Sequence, residues 1–332
     1  METRKAQLTG GSTFTVSLPK QWATDIDLET GDTIRLFPRD RTLIIQPAED
    51  VTDRWAIEVD VGDRSPAEIQ RTVQALYTTG FNSMTLSSAR GIGEEARTIR
   101  AVARKFIGLE TIESTDQTVT LQSLLDSATV SVEQSTVQLT QVALAMHADA
   151  IEALLHGDDE LADLVAERDD QVDRLYAMIT RHFQRSLVDL QETEELSLDQ
   201  STLYDYQTTA RQLERVGDHA EKIAGLGRRF ETPPDPAFAE PIREHSASAR
   251  NIVERAVNTV FGNAGIDAAH DALEERDEVT DSLEALGRSL HDRDVPESHL
   301  LAPTIDSVTR TAEYGANIAE TALQAAAREK TL

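Results

Sequence analysis

The stretch ERDDQVD at residues 167–173 decides the fold, because it recurs as ERDEVTD at residues 275–281, 108 positions further along the chain. A second stretch, RQLERVGD at residues 211–218, returns as RTAEYGAN at residues 310–317, 99 positions further on. The two stretches keep their order, and the apolar residues around them step by three or four, which is typical of helices. The sequence therefore predicts a tandem duplication of a helical unit.

Helix-breaking residues divide each copy into three helices. The run TPPDP at residues 232–236 separates the copies, because proline cannot continue a helix. We therefore predict two tandem three-helix bundles, at residues 123–231 and 237–330. The breaks inside the copies are predicted near Gly157, Leu196, Gly265 and Pro296.

Both copies place acidic residues four positions apart on predicted helices. Residues at this spacing share one helix face, where like charges repel by a few tenths of a kcal/mol, so a cation would compensate them. Carboxylates from helices that pack side by side can form a metal site, and an all-oxygen site favours Mg²⁺, Mn²⁺, Ca²⁺ or iron. The candidate ligands are Asp169, Asp173, Glu214 and Asp218 in the first bundle and Asp277, Asp281 and Glu313 in the second.

Ordinary surface ion pairs are the alternative interpretation of these acids. Asp218 with Lys222, or Glu214 with Arg211, would form pairs that each contribute less than about 1 kcal/mol. In the second bundle Asn317 replaces the fourth acid, so we expect that copy to bind a cation more weakly.

Enzyme chemistry finds little support. Carboxylate-bridged di-metal enzymes built on helical bundles carry Glu-x-x-His pairs, whereas Glu214 and Glu313 are followed three positions later by Gly217 and Ala316. The sequence also contains no zinc-type histidine spacing and no G-x-S-x-G stretch. We therefore expect a protein that is not an enzyme.

The composition narrows the class of protein further. The 332 residues include no cysteine, which excludes disulfides and thiolate metal sites. No apolar run approaches the roughly 18 residues that span a bilayer, and no secretory signal is evident, so we expect a cytoplasmic protein without membrane insertion. The net charge of −27, with only five lysines, predicts a halophilic protein whose repulsion is screened by salt.

The first 122 residues follow other patterns. Residues 1–48 show short alternating strands and turns that cannot bury both faces alone, so we expect a homodimer. Residues 52–122 alternate between strand-like and helical stretches, which predicts a small α+β unit with helices on one side of a sheet. The predicted fold class is therefore mainly α, with two tandem three-helix bundles preceded by an α+β unit and a β head.

The stretch LERVGDHA at residues 213–220 resembles the most characteristic helix of the phosphate-uptake regulator (PhoU) family, and the helix with Asp169 and Asp173 resembles its companion motif. The likeness covers about residues 124–327 and includes the tandem bundles. It implies multinuclear clusters of divalent or trivalent metal ions, with Fe, Mg, Mn, Zn and Ca all open. It also implies an adaptor that couples phosphate supply to a phosphate ABC transporter or signalling protein and to gene expression.

The stretch VSLPK at residues 16–20, followed by LETGDTI at residues 28–34, resembles the core of the AbrB/MazE/SpoVT swapped-hairpin family. This resemblance implies an intertwined dimer that often binds DNA through exposed basic residues, by position Arg4, Lys5 and Lys20. Such a head joined to PhoU-like bundles resembles an archaeal, and specifically haloarchaeal, arrangement.

Two functional hypotheses follow. In the first, the protein regulates phosphate uptake: the bundles sense metal or phosphate status, and the head dimerises and contacts DNA. In the second, it is a transporter-associated adaptor without DNA binding, and the head serves only for dimerisation. Residues 1–47 hold six basic and six acidic residues and thus lack the basic patch of most nucleic-acid binders. The α+β unit could be a spacer or could bind a ligand.

Overall fold

The computed structural model describes residues 2–39, 41–48, 55–292 and 295–332, with the backbone alone at residues 291 and 292. The chain forms two compact units, Met1–Trp55 and Ala56–Leu332. Residue 52, at which the sequence analysis starts the α+β unit, lies outside the described residues.

The first unit consists of two antiparallel hairpins and a short helix. Leu8 lies opposite Phe14 in the first hairpin, and both side chains are largely exposed, at 60% and 75%. Val16, Leu36 and Leu43 are exposed as well. The hairpins therefore leave much of their apolar surface uncovered. The elements are β1 (Gln7–Thr9), β2 (Thr13–Thr15), α1 (Lys20–Asp25), β3 (Ile34–Arg39) and β4 (Thr42–Pro47).

The second unit begins with a four-stranded mixed sheet and two helices. Its elements are β5 (Ala56–Asp60), α2 (Pro66–Thr79), β6 (Ser83–Ser87), α3 (Gly93–Ala103), β7 (Leu109–Ser114) and β8 (Thr118–Ser123). The strand order is β5-β6-β8-β7, with β5 parallel to β6 and the other pairs antiparallel. Alternate residues of β6 and β8 are buried in one apolar core with α2 and α3, which is the pattern of a sheet covered on one face.

Helix α2 has well-defined ends. Ser65 and Glu68 form a capping box, in which Glu68 N donates to Ser65 Oγ at 3.3 Å and Ser65 N donates to Glu68 Oε2 at 2.8 Å. Gly80 ends the helix with a φ of 111°, a left-handed conformation that favours glycine. These signals fix where the carboxyl end of α2 lies in the chain.

The first bundle has three long helices and one short one. They are α4 (Val132–His156), α5 (Asp159–Ser186), α6 (Leu190–Leu196) and α7 (Gln200–Gly227). Gly157 ends α4 with a φ of 67°, and Asp158 caps α5 by accepting a hydrogen bond from Leu161 N at 3.0 Å. The predicted breaks near Gly157 and Leu196 are confirmed, whereas α6 was not predicted.

The second bundle has three helices and shares its core with the first. They are α8 (Pro236–Val260), α9 (Asp267–Asp292) and α10 (Ser298–Glu329). Helix α4 packs on α8 and α7 packs on α10, and one cluster of buried apolar side chains runs through both bundles. The predicted fold class is therefore confirmed. Among the described helices, none is long and apolar enough to cross a membrane.

Candidate metal centre

Helices α5 and α7 pack closely where the predicted ligands lie. A Cβ atom on Gly217 would lie 3.1 Å from Val172 Cγ1, so glycine permits the approach of the two helices. Val172 precedes Asp173 in the sequence, and Gly217 precedes Asp218. Acidic side chains of both helices therefore flank one seam.

Asp169 lies in a strongly acidic environment. Burial raises the pKa of this carboxyl to about 7, and four neighbouring acids raise it further. No basic residue is among the groups that shift this pKa. The four acids are Asp173, Glu221, Asp218 and Asp170.

The other three predicted ligands of this bundle share that environment. Burial raises the pKa of Glu214 to about 7, and Asp218 and Asp173 add to the rise. Burial and then Asp218 raise the pKa of Asp173, while burial and then Glu221 raise the pKa of Asp218. Because acids on α5 and α7 raise one another's pKa, the structure brings all four predicted ligands of the first bundle into one repulsive cluster.

The donor set suits a metal ion. Asp169 Oδ1 is buried and accepts no hydrogen bond from the residues that the structure describes, and a cation would provide its missing partner. Four carboxylates suit a hard cation. Across the described ranges no group of three or more His, Asp or Glu side chains is arranged to hold an ion. The exposed side chains of Asp173 and Asp218 would therefore have to rotate towards the seam.

The raised pKa of Asp169 predicts a pH dependence of the metal-free protein. An unfolded chain loses this proton near pH 4, whereas the folded state keeps it up to about pH 7, so the stability contributed by protonation is lost as the pH rises through about 4 to 7. We expect Asp169→Asn to reduce the fall in melting temperature over this window, because an amide does not ionise. Thermal unfolding in the presence of a chelator measures the effect.

The matched control for this prediction is Asp116→Asn, which removes an exposed aspartate from the α+β part of the chain. Its melting temperature should follow the wild-type pH profile. An Asp169→Asn profile as steep as that of the wild type would contradict the assigned role of Asp169.

The predicted ligands of the second bundle are arranged differently. Asp277 and Asp281 are exposed, and Asp277 Oδ1 accepts a hydrogen bond from Arg276 Nε at 2.7 Å. Glu313 Oε2 accepts a hydrogen bond from Arg310 Nη1 at 2.7 Å. Two of these three acids therefore already have an arginine partner, which distinguishes this face from the seam between α5 and α7.

A residue that the sequence analysis did not select lies beside the carboxylate cluster. Lys105, just after α3, places its Nζ 3.1 Å from Asp170 Oδ1, and its charge lowers the pKa of Asp173 against the larger effect of burial. Lys105 shares a cavity lining with Gln70, Gln74, Asp173 and other residues of α2, α5 and α7. The α+β part of the chain therefore forms one wall of the candidate centre. The scarcity of lysine was the only sequence signal that marked Lys105.

A buried arginine holds this wall in place. Arg181 of α5 is 1% exposed and donates three hydrogen bonds to the end of α2 and the residues that follow it. Its acceptors are Tyr77 O at 2.8 Å, Phe81 O at 2.9 Å and Asn82 Oδ1 at 2.7 Å. The carboxyl end of α2 is thereby bound to α5.

A buried carboxylate extends this contact to α6. Glu192 accepts hydrogen bonds from Ser127 Oγ at 3.0 Å and Arg185 Nε at 2.8 Å, and its Oε1 lies 2.5 Å from His182 Nδ1. Burial raises the pKa of Glu192, but the bonds to His182 and the charge of Arg185 outweigh it, and the net pKa is lowered. Glu192 is therefore an ionised, fully paired carboxylate in the interior, which the sequence analysis missed.

The predicted DNA-binding residues belong to the first unit and are all exposed. Arg4 and Lys5 lie in the segment before β1, and Lys20 is the first residue of α1. Arg4 Nη2 lies 2.5 Å from Glu2 Oε2. All three side chains are therefore accessible to a partner.

Two family models match separate parts of the chain. Residues 136–226 match the family described as the PhoU domain. Residues 7–53 match the family described as antidote-toxin recognition MazE, bacterial antitoxin. Both resemblances inferred from short motifs are thereby confirmed for these segments, and the haloarchaeal type stays a prediction. A comparison with curated proteins finds no match.

Solved structures show the same relation for the fold. The chain is similar to the crystal structure of PhoU from Pseudomonas aeruginosa, with 22% identity, a TM-score of 0.52, and coverage of 58% of this chain and 93% of that one. For the phosphate transport system regulatory protein PhoU from Streptococcus pneumoniae, the identity is 21%, the TM-score 0.48, and the coverage 58% and 91%. The Pseudomonas structure shows a PhoU-type fold over more than half of this chain.

Proposed function

We propose that the protein regulates phosphate uptake from a cytoplasmic location, through a metal-binding helical sensor joined to a dimeric head that contacts DNA. The observation that carries this proposal is the presence in one chain of a PhoU-domain match at residues 136–226 and a MazE match at residues 7–53. The first match supports a role in phosphate transport, and the second supports nucleic-acid binding. The net charge of −27 supports a high-salt environment.

The metal belongs to the seam between α5 and α7. When bound, the ion neutralises the carboxylates that now repel one another and ties the two helices together. The second bundle is the weaker site, because arginines already pair with Asp277 and Glu313. The residues that would hold the ion in the first bundle are Asp169, Asp173, Glu214 and Asp218.

Homodimerisation of the head is supported by its exposed apolar side chains. Leu8 and Phe14 are 60% and 75% exposed, and Leu36 and Leu43 add to the apolar surface of the same unit. A second copy offers an identical apolar surface, so a symmetric pair would bury both. We therefore propose that the head is a dimer of this segment.

DNA contact is proposed for Arg4, Lys5 and Lys20. Arginine can read base edges through bidentate hydrogen bonds at any ionic strength, which offsets the small counterion-release term in high salt. The alternative is an adaptor without DNA binding, and the balanced charge of residues 1–47 favours it. Its partner would be a subunit of a phosphate ABC transporter or a signalling protein.

Chromatin immunoprecipitation of the tagged protein from phosphate-replete and phosphate-starved cells tests the proposal. We expect discrete peaks near phosphate-transport genes that change with phosphate supply. An Arg4→Ala, Lys20→Ala variant should lose these peaks while light scattering still shows a dimer. Lys330→Ala, which removes a basic residue outside the head, is the control and should keep them. An empty map for the dimeric wild type would reject the regulator in favour of the adaptor.

A further inference from the structure

A cavity opens between helix α2 and the acidic faces of α5 and α7. One side carries the amides of Gln70 and Gln74 and the ammonium group of Lys105. The facing side carries the carboxylates of Asp173 and Glu214. The cavity therefore joins a wall of hydrogen-bond donors to a wall of acceptors, and the two walls come from parts of the chain that are about a hundred residues apart.

The donor wall is held in a defined position. Tyr77 of α2 stacks on Phe106 with 4.7 Å between ring centroids, and its hydroxyl donates to Ile107 O at 2.8 Å. These contacts fix the backbone next to Lys105 against α2. Arg181 fixes the end of α2 against α5. The distance between the two walls is thus set by buried contacts outside the cavity.

The donors on this wall are free to bind a ligand. In the part of the chain that the structure describes, the side-chain amides of Gln70 and Gln74 make no hydrogen bond with another residue. Lys105 is bound only to Asp170, and both side chains of that pair are half exposed. An anion could therefore take over Lys105 without breaking a buried interaction.

The chemistry of the two walls selects the ligand. A cation alone would satisfy the carboxylates and leave the donors unused, whereas an anion alone would be repelled by Asp173 and Glu214. An oxyanion attached to a carboxylate-bound metal satisfies both walls, because its remaining oxygens accept hydrogen bonds from ammonium and amide groups.

We propose that this cavity binds a tetrahedral oxyanion of the phosphate class, which bridges a metal ion held by the carboxylate cluster to Lys105, Gln70 and Gln74. The inference rests on the proposed metal centre and gives the α+β part of the chain a ligand-binding role. Lys105 leaves Asp170 and pairs with the anion when the ligand binds.

Titration calorimetry of the full-length protein with Mn²⁺ and then with inorganic phosphate tests the inference. We expect phosphate to bind only after Mn²⁺. Lys105→Met should weaken phosphate binding by about tenfold or more, the loss expected for one charge-assisted hydrogen bond, and leave Mn²⁺ binding within about twofold of the wild type. Gln74→Leu should weaken phosphate binding less. Competition by a phosphate monoester distinguishes a free from an esterified ligand.

Lys222→Met is the matched control, because it removes the same charge near Asp218 but lies outside this cavity. It should bind phosphate as the wild type does. Mn²⁺ binding without phosphate binding, or equal phosphate affinity in Lys105→Met, would overturn the inference and leave the metal centre standing. Absence of Mn²⁺ binding in the wild type would instead reject the metal centre, and the inference with it. An unchanged melting temperature of Lys105→Met shows that the variant is folded.

Discussion

Replacing Arg181 with methionine is expected to lower the free energy of unfolding by about 3–5 kcal/mol. The side chain is 1% exposed and donates hydrogen bonds to Tyr77 O, Phe81 O and Asn82 Oδ1. Methionine keeps the apolar stem but leaves both carbonyls without this donor, and each buried unsatisfied group costs about 1–3 kcal/mol. Asn82 retains Arg185 as a donor at 2.6 Å, so its loss is partial.

Urea denaturation measures this effect, and hydrogen exchange locates it. Amides of α2 and of the sheet from β5 to β8 should exchange faster in Arg181→Met, because the contact between α2 and α5 is weakened. Arg181→Lys should fall between the two, since one ammonium group cannot reach all three acceptors. Arg90→Met removes an exposed pair with Asp63 and should change stability by less than about 1 kcal/mol. Equal losses in Arg181→Met and Arg90→Met would contradict the structural role of Arg181.

Replacing Gly315 with alanine is expected to destabilise the protein by about 1–3 kcal/mol, although alanine is the better helix former. Helices α8 and α10 approach so closely here that a Cβ atom would lie 2.7 Å from Ile252 Cγ2 and 2.9 Å from Val253 N. The second of these atoms belongs to the backbone and cannot move aside by a rotamer change. The two helices would therefore have to separate and loosen the second bundle.

The same substitution at Gly287 provides the control. This glycine also lies within a helix of the second bundle, and a Cβ atom there would have no other heavy atom within 4 Å. Gly287→Ala should stabilise the protein by about 0.5–1 kcal/mol through helix propensity alone. Thermal unfolding of both variants measures the difference. A stabilising effect at both positions would show that α8 and α10 are not in close contact at Gly315.

The helices could be predicted because their signals are local. The repeated stretches at residues 167–173 and 275–281, together with the breaks near Gly157 and Leu196, mark helices and their ends within a few residues. Helix α6, Leu190–Leu196, escaped because its seven residues are too few to show a helical period. Its position depends instead on the buried contacts of Glu192.

The acidic residues of the two bundles show where local reasoning stops. In both copies the sequence placed acids four positions apart on one helix face. The arginines beside Asp277 and Glu313 are one and three residues away, so their pairing was visible in the sequence. The crowding of Asp169 with acids of α7 was not, because it requires that α5 and α7 pack together at Gly217.

By itself, the sequence determined the duplicated helical pattern, the two family resemblances and the acids that share a helix face, because periodicity and motifs depend on neighbours in the chain. Only the tertiary structure decided that Lys105 lies beside Asp170, 65 residues away, and that Arg181 binds the end of α2, 104 residues before it. Such contacts arise when helices pack on the α+β part of the chain, and no local preference encodes which distant surfaces meet. Packing therefore makes that part of the chain a wall of the carboxylate seam.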